Sequence, residues 1–378
     1  MIRLLAFALL LLPTLSRAEV IRVGQNPEDL RFSANGSSLA MRCDDHVYVR
    51  DLKRARTYRF PKGELRDISP GGTRIAMSDA ENGQLTIWDV ARSKAIRVWP
   101  HPTACATFSP DGRQVIFFAG QDRQSLENAE NLTLIRLDIR SGNTKRYDRW
   151  CASLSNFMAN WFTKNGSTHP IKMADVRYYA LYGPFLRWRN GGVVQATVQV
   201  DDHKALVFVV FTMELRDQKP DRILPGFGLY YLWNGDYLWK ESSHKVGTDA
   251  PIETFAVWHQ GRSHKLIDDP DFVSSPAPSG DSGSYAGVCP SDTPWIAFYG
   301  IRNIAQLVDE PYTSKQLQRQ RLIVKIVNSR TRRKVVVVNR HYYHVTVAAA
   351  LAPKADWVAF TSPRSSSQIV LQKIRQRL

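Results

Sequence analysis

The chain of 378 residues is strongly basic, because 51 lysines and arginines outnumber 35 aspartates and glutamates and give a formal net charge of +16. A chain of this length can bury a sufficient core without disulfides, so its fold need not depend on them. The charge favours anionic partners such as lipid head groups, acidic glycans or nucleic acid. A surface that is basic only for solubility is the alternative.

The first 18 residues predict a cleaved secretory signal peptide, with a basic start, an apolar run from Leu4 to Leu15 and a small-residue site ending at Ala18. The run is shorter than the roughly 20 residues of a membrane-spanning helix, and no later window is apolar enough to span. We therefore expect a periplasmic or secreted protein with no transmembrane span. Cleavage removes Arg3 and Arg17, which lowers the net charge from +16 to +14.

Four cysteines allow two disulfides in three pairings if the chain enters an oxidising compartment, with buried free thiols as the alternative. They are Cys43, Cys105, Cys151 and Cys289. No two of them have zinc-site spacing, so we predict no metal and no cofactor. The acceptor sequences at Asn35, Asn131 and Asn165 would be glycosylated only in a eukaryotic secretory pathway.

A short phrase recurs along the chain, starting at an apolar residue and continuing into a turn of Pro, Gly, Asn or Asp. Seven positions after each start comes another large apolar residue. This pattern predicts a strand, a tight turn and a buried returning strand. The copies are FSANG at Phe32, ISPGG at Ile68, FSPDG at Phe108, VCPSD at Val288 and LAPKA at Leu351.

Further strands follow most copies. Third strands are predicted at 47–52, 85–90, 134–139 and 369–374, and fourth strands at 57–60, 95–99 and 334–338. The repeating unit is therefore four short antiparallel strands, and the first three copies are spaced like the blades of a β-propeller. The repeat is faint between Phe108 and Val288, and the wide spacing after Val288 predicts an insertion at about 300–321.

Two of these segments, LTIWDV at 85–90 and FSPDG at 108–112, resemble the strand motifs of WD-repeat and TolB-type bacterial β-propellers. The Gly-His pair of eukaryotic WD repeats is absent, which favours the bacterial type. The resemblance implies an all-β fold, with residues 19–378 forming one propeller of four-stranded blades. We expect seven blades, with eight as the alternative. It implies no activity, because propellers host many unrelated functions.

Loops of such blades alternate between two ends of the propeller. The third-to-fourth turns are basic and contain no carboxylate, so that end is predicted to dock an anionic partner, with ordinary exposed charged turns as the alternative. Its candidate residues are Arg54, Arg56, Arg92, Lys94, Arg140, Lys145, Arg330, Arg332, Arg333 and Lys334.

The opposite end collects the links between blades, which mix aromatics, histidines and carboxylates. Such rigidly held loops often bind ligands. Packing of these rings at blade edges is the alternative. The candidate ligand-binding residues are Trp99, His101, Arg149, Trp150, His341, Tyr343 and His344.

These patterns favour an exported, non-catalytic binding or scaffolding module for an anionic envelope component or a partner protein. The rival is a small propeller hydrolase or lyase acting on a sugar or lactone, with His101, His341 and Asp79 as acid and base. Export disfavours nucleic acid as the partner. The oligomeric state, the ligand and any catalysis are left open by the sequence.

Overall fold

The computed structural model of the protein describes residues 18–127, 131–150, 152–153, 156, 176–177, 186–188, 192–201, 206–225, 227–231, 237–244, 251–259, 262–273, 286–302, 321–342 and 347–374. Most of the predicted insertion, residues 303–320, and the candidate residues Tyr343 and His344 lie outside these residues. In the part of the chain that is described, no helix is long and apolar enough to cross a membrane.

Short strands carry nearly all of the structure. The first twelve are β1 Glu19–Arg22, β2 Asp29–Phe32, β3 Ser38–Arg42, β4 Val47–Asp51, β5 Arg56–Phe60, β6 Glu64–Ile68, β7 Arg74–Ser78, β8 Gln84–Asp89, β9 Lys94–Phe108, β10 Gln114–Ala119, β11 Thr133–Asp138 and β12 Thr144–Tyr147. A one-turn 3-10 helix, Gln124–Glu127, precedes β11.

The later strands cover the region where the repeat is faint and the clear copies at the end. They are β13 Val176–Arg177, β14 Leu186–Trp188, β15 Val193–Asp201, β16 Leu206–Glu214, β17 Lys219–Pro225, β18 Phe227–Tyr231, β19 Tyr237–His244, β20 Pro251–His259, β21 Arg262–Val273, β22 Ala286–Pro290, β23 Trp295–Arg302, β24 Arg321–Asn328, β25 Lys334–His341, β26 Ala349–Leu351, β27 Trp357–Thr361 and β28 Gln368–Lys373. The prediction of an all-β fold is confirmed.

Strands that follow one another in sequence pair antiparallel within small sheets. The sheet orders are β2-β3-β4-β5, β6 to β12 in sequence, β13-β15-β16-β17 with β14 also on β15, β18-β19-β20-β21, β22-β23-β24-β25, and β1-β28-β27-β26. The predicted third and fourth strands appear within these sheets at close to their predicted bounds.

The strand β9 explains the seven-stranded sheet. Lys94 pairs with Asp89 of β8, whereas Phe108 pairs with Val115 of β10, so one extended segment belongs to two four-stranded groups. The sequence predicted that Trp99 and His101 lie in a loop between blades, at 99–103. The structure has a continuous strand there instead. The physical reason is that Trp99 and His101 each precede a proline, which restricts both residues to extended backbone.

The outer strand of the last group comes from the start of the chain. Ile21 of β1 pairs with Ile369 of β28, which completes a four-stranded sheet from the two ends of the described chain. Glu19 forms an ion pair with Arg50 of β4, which belongs to the neighbouring group. The sequence pattern had left the last group without a fourth strand.

The core lies between adjacent groups, where their faces pack together. One cluster joins Ile87 of β8 to Phe108 and Phe117 of the next group. Another joins Ile21 and Ile369 of the last group to Leu39 and Met41 of the first. In both clusters, adjacent groups bury their faces against one another, as the blades of a propeller do.

The recurring phrase forms the turn from a group's first strand to its second. Gly36, Gly72 and Gly112 have φ of 70°, 71° and 69°, a backbone region that favours glycine. In the copy at 108–112, the Asp111 carboxylate accepts hydrogen bonds from Ser109 Oγ at 2.6 Å and the backbone N of Arg113 at 3.0 Å. The prediction that this aspartate serves turn geometry is confirmed.

Cys43 and Cys105 are buried thiols that form no disulfide. Of the two alternatives that the sequence left open, buried thiols therefore apply to these two residues, because each of the three disulfide pairings needs both of them bonded. Cys151 and the side chain of Cys289 lie outside the described part. A core built between sheet faces provides the stability for which disulfides would otherwise be needed.

Candidate functional site

The two kinds of turn within a group lie side by side at one end of its sheet, which we call the turn face. In the first group, the Leu52 N–H donates to the Ser37 carbonyl at 2.9 Å, joining the third-to-fourth turn to the first-to-second turn. The same bond recurs elsewhere: Val90 N to Thr73 O, Ile139 N to Arg113 O, Leu215 N to Gly192 O, Ser329 N to Pro294 O and Ile374 N to Asp356 O. The predicted sorting of these turns to one end therefore holds in the six groups that these bonds join.

Neighbouring groups also meet through their turns. The Asn35 N–H donates to the Pro70 carbonyl at 3.0 Å, and the Asp292 N–H donates to the Pro353 carbonyl at 3.0 Å. Arg74 Nη1 reaches the Gly112 carbonyl at 2.8 Å. The turns built from the recurring phrase thus contact one another across group boundaries and support the turn face as one surface.

The predicted basic residues of the turn face are all exposed. They are Arg54, Arg56, Arg92, Lys94, Arg140, Lys145, Arg330, Arg332, Arg333 and Lys334. Exposure of long cationic side chains on hydrogen-bonded turns fits contact with an anionic surface. Their location agrees with the sequence prediction, and their binding role stays a prediction.

Carboxylates stand at the base of three of these turns. Oδ1 of Asp51, Asp89 and Asp138 accepts a backbone N–H of the turn that follows, at 3.0 Å from Arg54, 2.9 Å from Arg92 and 2.8 Å from Ser141. The Asp51 carboxylate also lies 3.7 Å from the Arg54 guanidinium. The turns themselves contain no carboxylate, as predicted, because the capping aspartates lie at the ends of the preceding strands.

The turn between β24 and β25 differs because a neutral residue caps it. Asn328 Oδ1 accepts the N–H groups of Arg330 at 3.0 Å and Thr331 at 2.9 Å. No carboxylate occurs anywhere from Asn328 to His341. The capping geometry is the same, but here it adds no negative charge, so this is the most cationic turn of the turn face.

A fifth turn, between β16 and β17, was missed by the sequence analysis. It carries both signs of charge, with Arg216 Nε 3.9 Å from the Asp217 carboxylate. The faint repeat in this part of the chain hid it. The net positive charge therefore differs from turn to turn and is larger on the turn between β24 and β25 than on this one.

At the opposite end, which we call the loop face, the structure describes five of the seven predicted ligand-binding residues, Trp99, His101, Arg149, Trp150 and His341. Trp150 is 0% exposed; its ring packs 4.8 Å from that of Phe118, and its Nε1 donates to the Leu132 carbonyl at 3.1 Å. It is a packing residue, which was the alternative stated for these rings. Trp99 is partly buried against Phe117, with centroids 5.3 Å apart.

The other described candidates of the loop face are exposed side chains. His101, Arg149 and His341 are exposed, and the ring of His101 lies 5.8 Å from that of Trp99. Asp79, the proposed carboxylate partner, uses Oδ1 to accept the N–H groups of Glu81 at 2.8 Å and Asn82 at 2.9 Å. That carboxylate caps its own turn, which leaves it poorly placed as an acid or base.

One histidine and carboxylate of the loop face do meet. His46 Nδ1 lies 2.9 Å from the Asp45 carboxylate, which also accepts from the Tyr48 hydroxyl at 3.1 Å. Hydrogen bonds from His46 and Tyr48 outweigh desolvation and lower the pKa of Asp45. Within the described residues, no three His, Cys, Asp or Glu side chains converge as a metal site would require.

A polar ladder along the first strands of successive groups was also missed. Asp67 of β6 accepts hydrogen bonds from Thr107 Oγ1 at 2.9 Å and from the backbone N of Phe108 at 2.8 Å. Arg31 of β2 pairs with Asp29 at 2.8 Å and donates to the Arg66 carbonyl. Arg31, Asp67 and Thr107 each precede the apolar residue that opens a copy of the phrase, so aligned copies carried this signal.

Comparison with known proteins identifies the architecture. The chain aligns with the β-propeller domain of Cps50 (Swd1) from Myceliophthora thermophila at a TM-score of 0.56 and 13% identity, over 94% of this chain and 98% of that one. The WD40 repeats of RRP9 align at 0.53 and 8% identity, over 94% and 100%. The protein has a WD40-type β-propeller fold. These likenesses show the fold alone, and the TolB-type assignment stays a prediction.

Sequence comparison is weaker. No family model matches the chain. A curated relative, eukaryotic translation initiation factor 3 subunit I from Coccidioides immitis (strain RS), is 28% identical over 122 residues. The match spans 30% of this chain and 34% of that protein, about a third of the relative's length. It supports the WD40-type propeller.

Proposed function

We propose that this propeller is a protein-interaction scaffold whose turn face binds an acidic surface of a partner protein. The observation that carries the proposal is the cationic turn face: exposed arginines and lysines project from turns that hydrogen bonds tie together within and between groups. WD40-type propellers commonly bind protein partners, and the turn face offers a rigid surface with one dominant charge. Rigid placement of the charges limits the entropy that binding costs.

We further propose that the groups are seven blades of one closed propeller. Counting β9 in two groups, the sheet orders contain seven sets of four or five strands. β26 of the last group contacts both β2 of the first and β22 of the preceding one. The pairing of β1 with β28 brings together the two ends of the described chain. These contacts support closure around a common axis.

Export through the leader is part of the proposal. β1 begins at Glu19, directly after the predicted cleavage position at Ala18. Cleavage there would leave the whole of β1 available to pair with β28. Because Glu19 is itself the partner of Arg50, a cut one or more residues further along would remove a described ion pair.

The proposal assigns no catalytic role. An acid–base site on the loop face would need a histidine and a carboxylate within hydrogen-bond reach of a bound substrate. His101 packs beside Trp99, and the Asp79 carboxylate is engaged by its own turn. We therefore leave a sugar or lactone hydrolase or lyase as the weaker candidate.

The test is binding of the mature protein to poly(L-glutamate), a protein-like polyanion, measured by titration calorimetry at low and raised salt. We expect binding that weakens steeply with salt, because exposed charge contacts are screened. The variant with Arg330→Gln, Arg332→Gln and Arg333→Gln should lose most of it. A matched control with Arg22→Gln, Lys62→Gln and Arg364→Gln removes the same charge from other exposed sites and should bind as the parent does.

Two parallel probes decide the class of partner. Vesicles of phosphatidylglycerol and a sulfated glycan are titrated under the same conditions. Tighter binding to either than to poly(L-glutamate) would replace the acidic protein with a lipid or glycan partner. Equal losses in both triple variants would mean that only net charge matters, and would overturn the turn face as a docking site.

A further inference from the structure

We infer that the outer edge of β25 captures an extended, acidic, aliphatic segment of the partner as an added antiparallel strand. This inference rests on the proposed function, because it uses the cationic turn at Asn328–Lys334. It adds the local structure of the partner's acidic surface, which is an extended segment that pairs with β25 as a further strand. The described structure places the two features that such capture needs next to each other.

The first feature is a strand with one side unpaired. β25 is the last strand in the order β22-β23-β24-β25, and it pairs with β24 from Lys334 opposite Val327 to His341 opposite Arg321. Among the described residues, no strand pairs with its other side. An outer edge of this kind presents backbone donors and acceptors that a further strand can use.

The second feature is the composition of that edge. β25 contains Val335, Val336, Val337 and Val338 in succession, and Val336 is 53% exposed. The outer strands β5 and β12 carry exposed cations, Arg56 and Arg59 on one and Lys145 and Arg146 on the other, and have no run of valines, whereas the cations Lys334 and Arg340 of β25 flank its four valines. Charged side chains protect those edges from strand addition, whereas the valines of β25 invite it.

The charges around β25 specify what kind of strand would be added. Arg330, Arg332, Arg333 and Lys334 stand at its start, and Arg340 and His341 at its end. These cations would repel a basic strand, would not attract a neutral one and would attract an acidic one. Because all described pairings are antiparallel, the acidic residues of the added strand should lie towards its C-terminal end, beside Lys334.

Existing contacts limit where the added strand pairs. The Val337 carbonyl accepts Gln372 Nε2 at 3.4 Å, at the point where the β24–β25 register shifts. Arg321 reaches both the side chain and the carbonyl of Asn339. The segment from Lys334 to Val336 lies before both of these contacts. We place the main pairing there, directly beside the cationic turn.

The backbone of the turn at Asn328–Lys334 offers a separate way to test the role of this turn in binding. Arg332 has φ of 58°, a conformation that glycine adopts with less strain. The corresponding turn between β11 and β12 has Gly142 at φ 79°. Arg332→Gly therefore removes a charge beside the edge while favouring the native backbone, so a loss of binding cannot be ascribed to misfolding.

The experiment uses the mature full chain and a blocked peptide as long as β25, with alternating valine and threonine and glutamates at its C-terminal end. Binding is followed by fluorescence anisotropy, and hydrogen exchange of β25 is measured with and without peptide. We expect the peptide to slow exchange in β25. Arg332→Gly and Val336→Lys should each weaken binding by about tenfold, a change of about 1.4 kcal/mol.

Matched controls separate strand addition from simple attraction. Val98→Lys alters a valine of β9 that is 57% exposed and should leave peptide binding unchanged. A peptide methylated on alternate backbone nitrogens keeps its charge but loses ladder hydrogen bonds, and should bind at least about tenfold more weakly. Equal binding of the methylated and unmethylated peptides, or no change in β25 exchange, would overturn the inference.

Failure of the inference can be told from failure of the proposed function. If poly(L-glutamate) binding still depends on the basic turn while Val336→Lys changes nothing, the turn face stands and the edge does not. If the basic triple variant also binds normally, the proposed function fails. Concentration-dependent self-association that Val336→Lys abolishes would assign the edge to a second copy of this chain, and would overturn an acidic segment as its occupant.

Discussion

The Asp67 carboxylate accepts the backbone N–H of Phe108 at 2.8 Å, which joins the first strands of two neighbouring blades. The same oxygen accepts the Thr107 hydroxyl at 2.9 Å. Phe108 opens the best copy of the recurring phrase and packs in the core between these blades. A single carboxylate thus fixes how two repeats sit against each other.

Replacing Asp67 by alanine should destabilise the fold by about 2 kcal/mol, because the Thr107 hydroxyl and the Phe108 N–H would lose a charged acceptor. The measurement is the urea unfolding midpoint. Asp148→Ala, at a carboxylate that is 68% exposed, is the control and should stay within about 0.5 kcal/mol. A normal midpoint for Asp67→Ala would show that the ladder does not stabilise the blade interface.

The pH dependence of stability should have opposite signs at two aspartates. Burial raises the pKa of Asp67 despite the nearby Arg31. The contribution of this titration to folding stability is therefore fully present below the ordinary pKa of 3.8 and is lost as pH rises through the raised pKa. Hydrogen bonds from Ser109 and Arg113 lower the pKa of Asp111, whose contribution is present above 3.8 and is lost as pH falls through the lowered pKa.

Unfolding midpoints of the parent, Asp67→Asn and Asp111→Asn, measured across acidic pH, test this contrast. As pH rises, the unfolding midpoint of the parent should fall relative to that of Asp67→Asn. Over the same range, the midpoint of the parent should rise relative to that of Asp111→Asn. Two slopes of the same sign would contradict the assignment.

The strand β1 should be essential to the stability of the last blade. Ile21 is 3% exposed and packs between the last and first groups, whereas Val20 on the same strand is 52% exposed. Ile21→Ala should cost about 2–4 kcal/mol, and Val20→Ala less than about 0.5 kcal/mol. Denaturant unfolding measures both, and similar costs would argue against the described pairing of β1.

Arg332→Gly should stabilise the protein by about 0.5–1 kcal/mol, because glycine adopts the positive φ of this turn without a Cβ clash. The converse change, Gly142→Ala at φ 79°, should destabilise it by about 1 kcal/mol. Thermal unfolding compares the two variants with the parent. A loss of stability in Arg332→Gly would show that the arginine side chain makes a stabilising contact.

Cys43 should resist alkylation in the native protein. Burial, followed by the field of Asp45, raises the pKa of its thiol to about 12, so little thiolate forms near neutral pH. Mass spectrometry should find Cys43 and Cys105 modified only after unfolding, without any reductant. Modification that requires a reductant would show that they are oxidised in disulfides.

Local features of this protein were readable from its sequence. The phrase at Phe108–Gly112 specifies a turn, because glycine tolerates positive φ and the aspartate binds backbone N–H groups two residues away. The apolar residue that opens each copy of the phrase, and the one seven positions later, located the first and second strands of five groups. The basic turns could also be located from the sequence, because each is a short stretch of consecutive residues between two predicted strands.

Tertiary structure decided the contacts between distant residues. Packing between blades buried Trp150 and brought Asp67 to Phe108, although 41 positions separate those two residues. Pairing across the described ends supplied β1 to β28, and the hydrogen bonds by which the strand-end aspartates cap the basic turns depend on the folded turns. Local propensity sets turns and strands, whereas burial and pairing depend on which surfaces the assembled blades bring together.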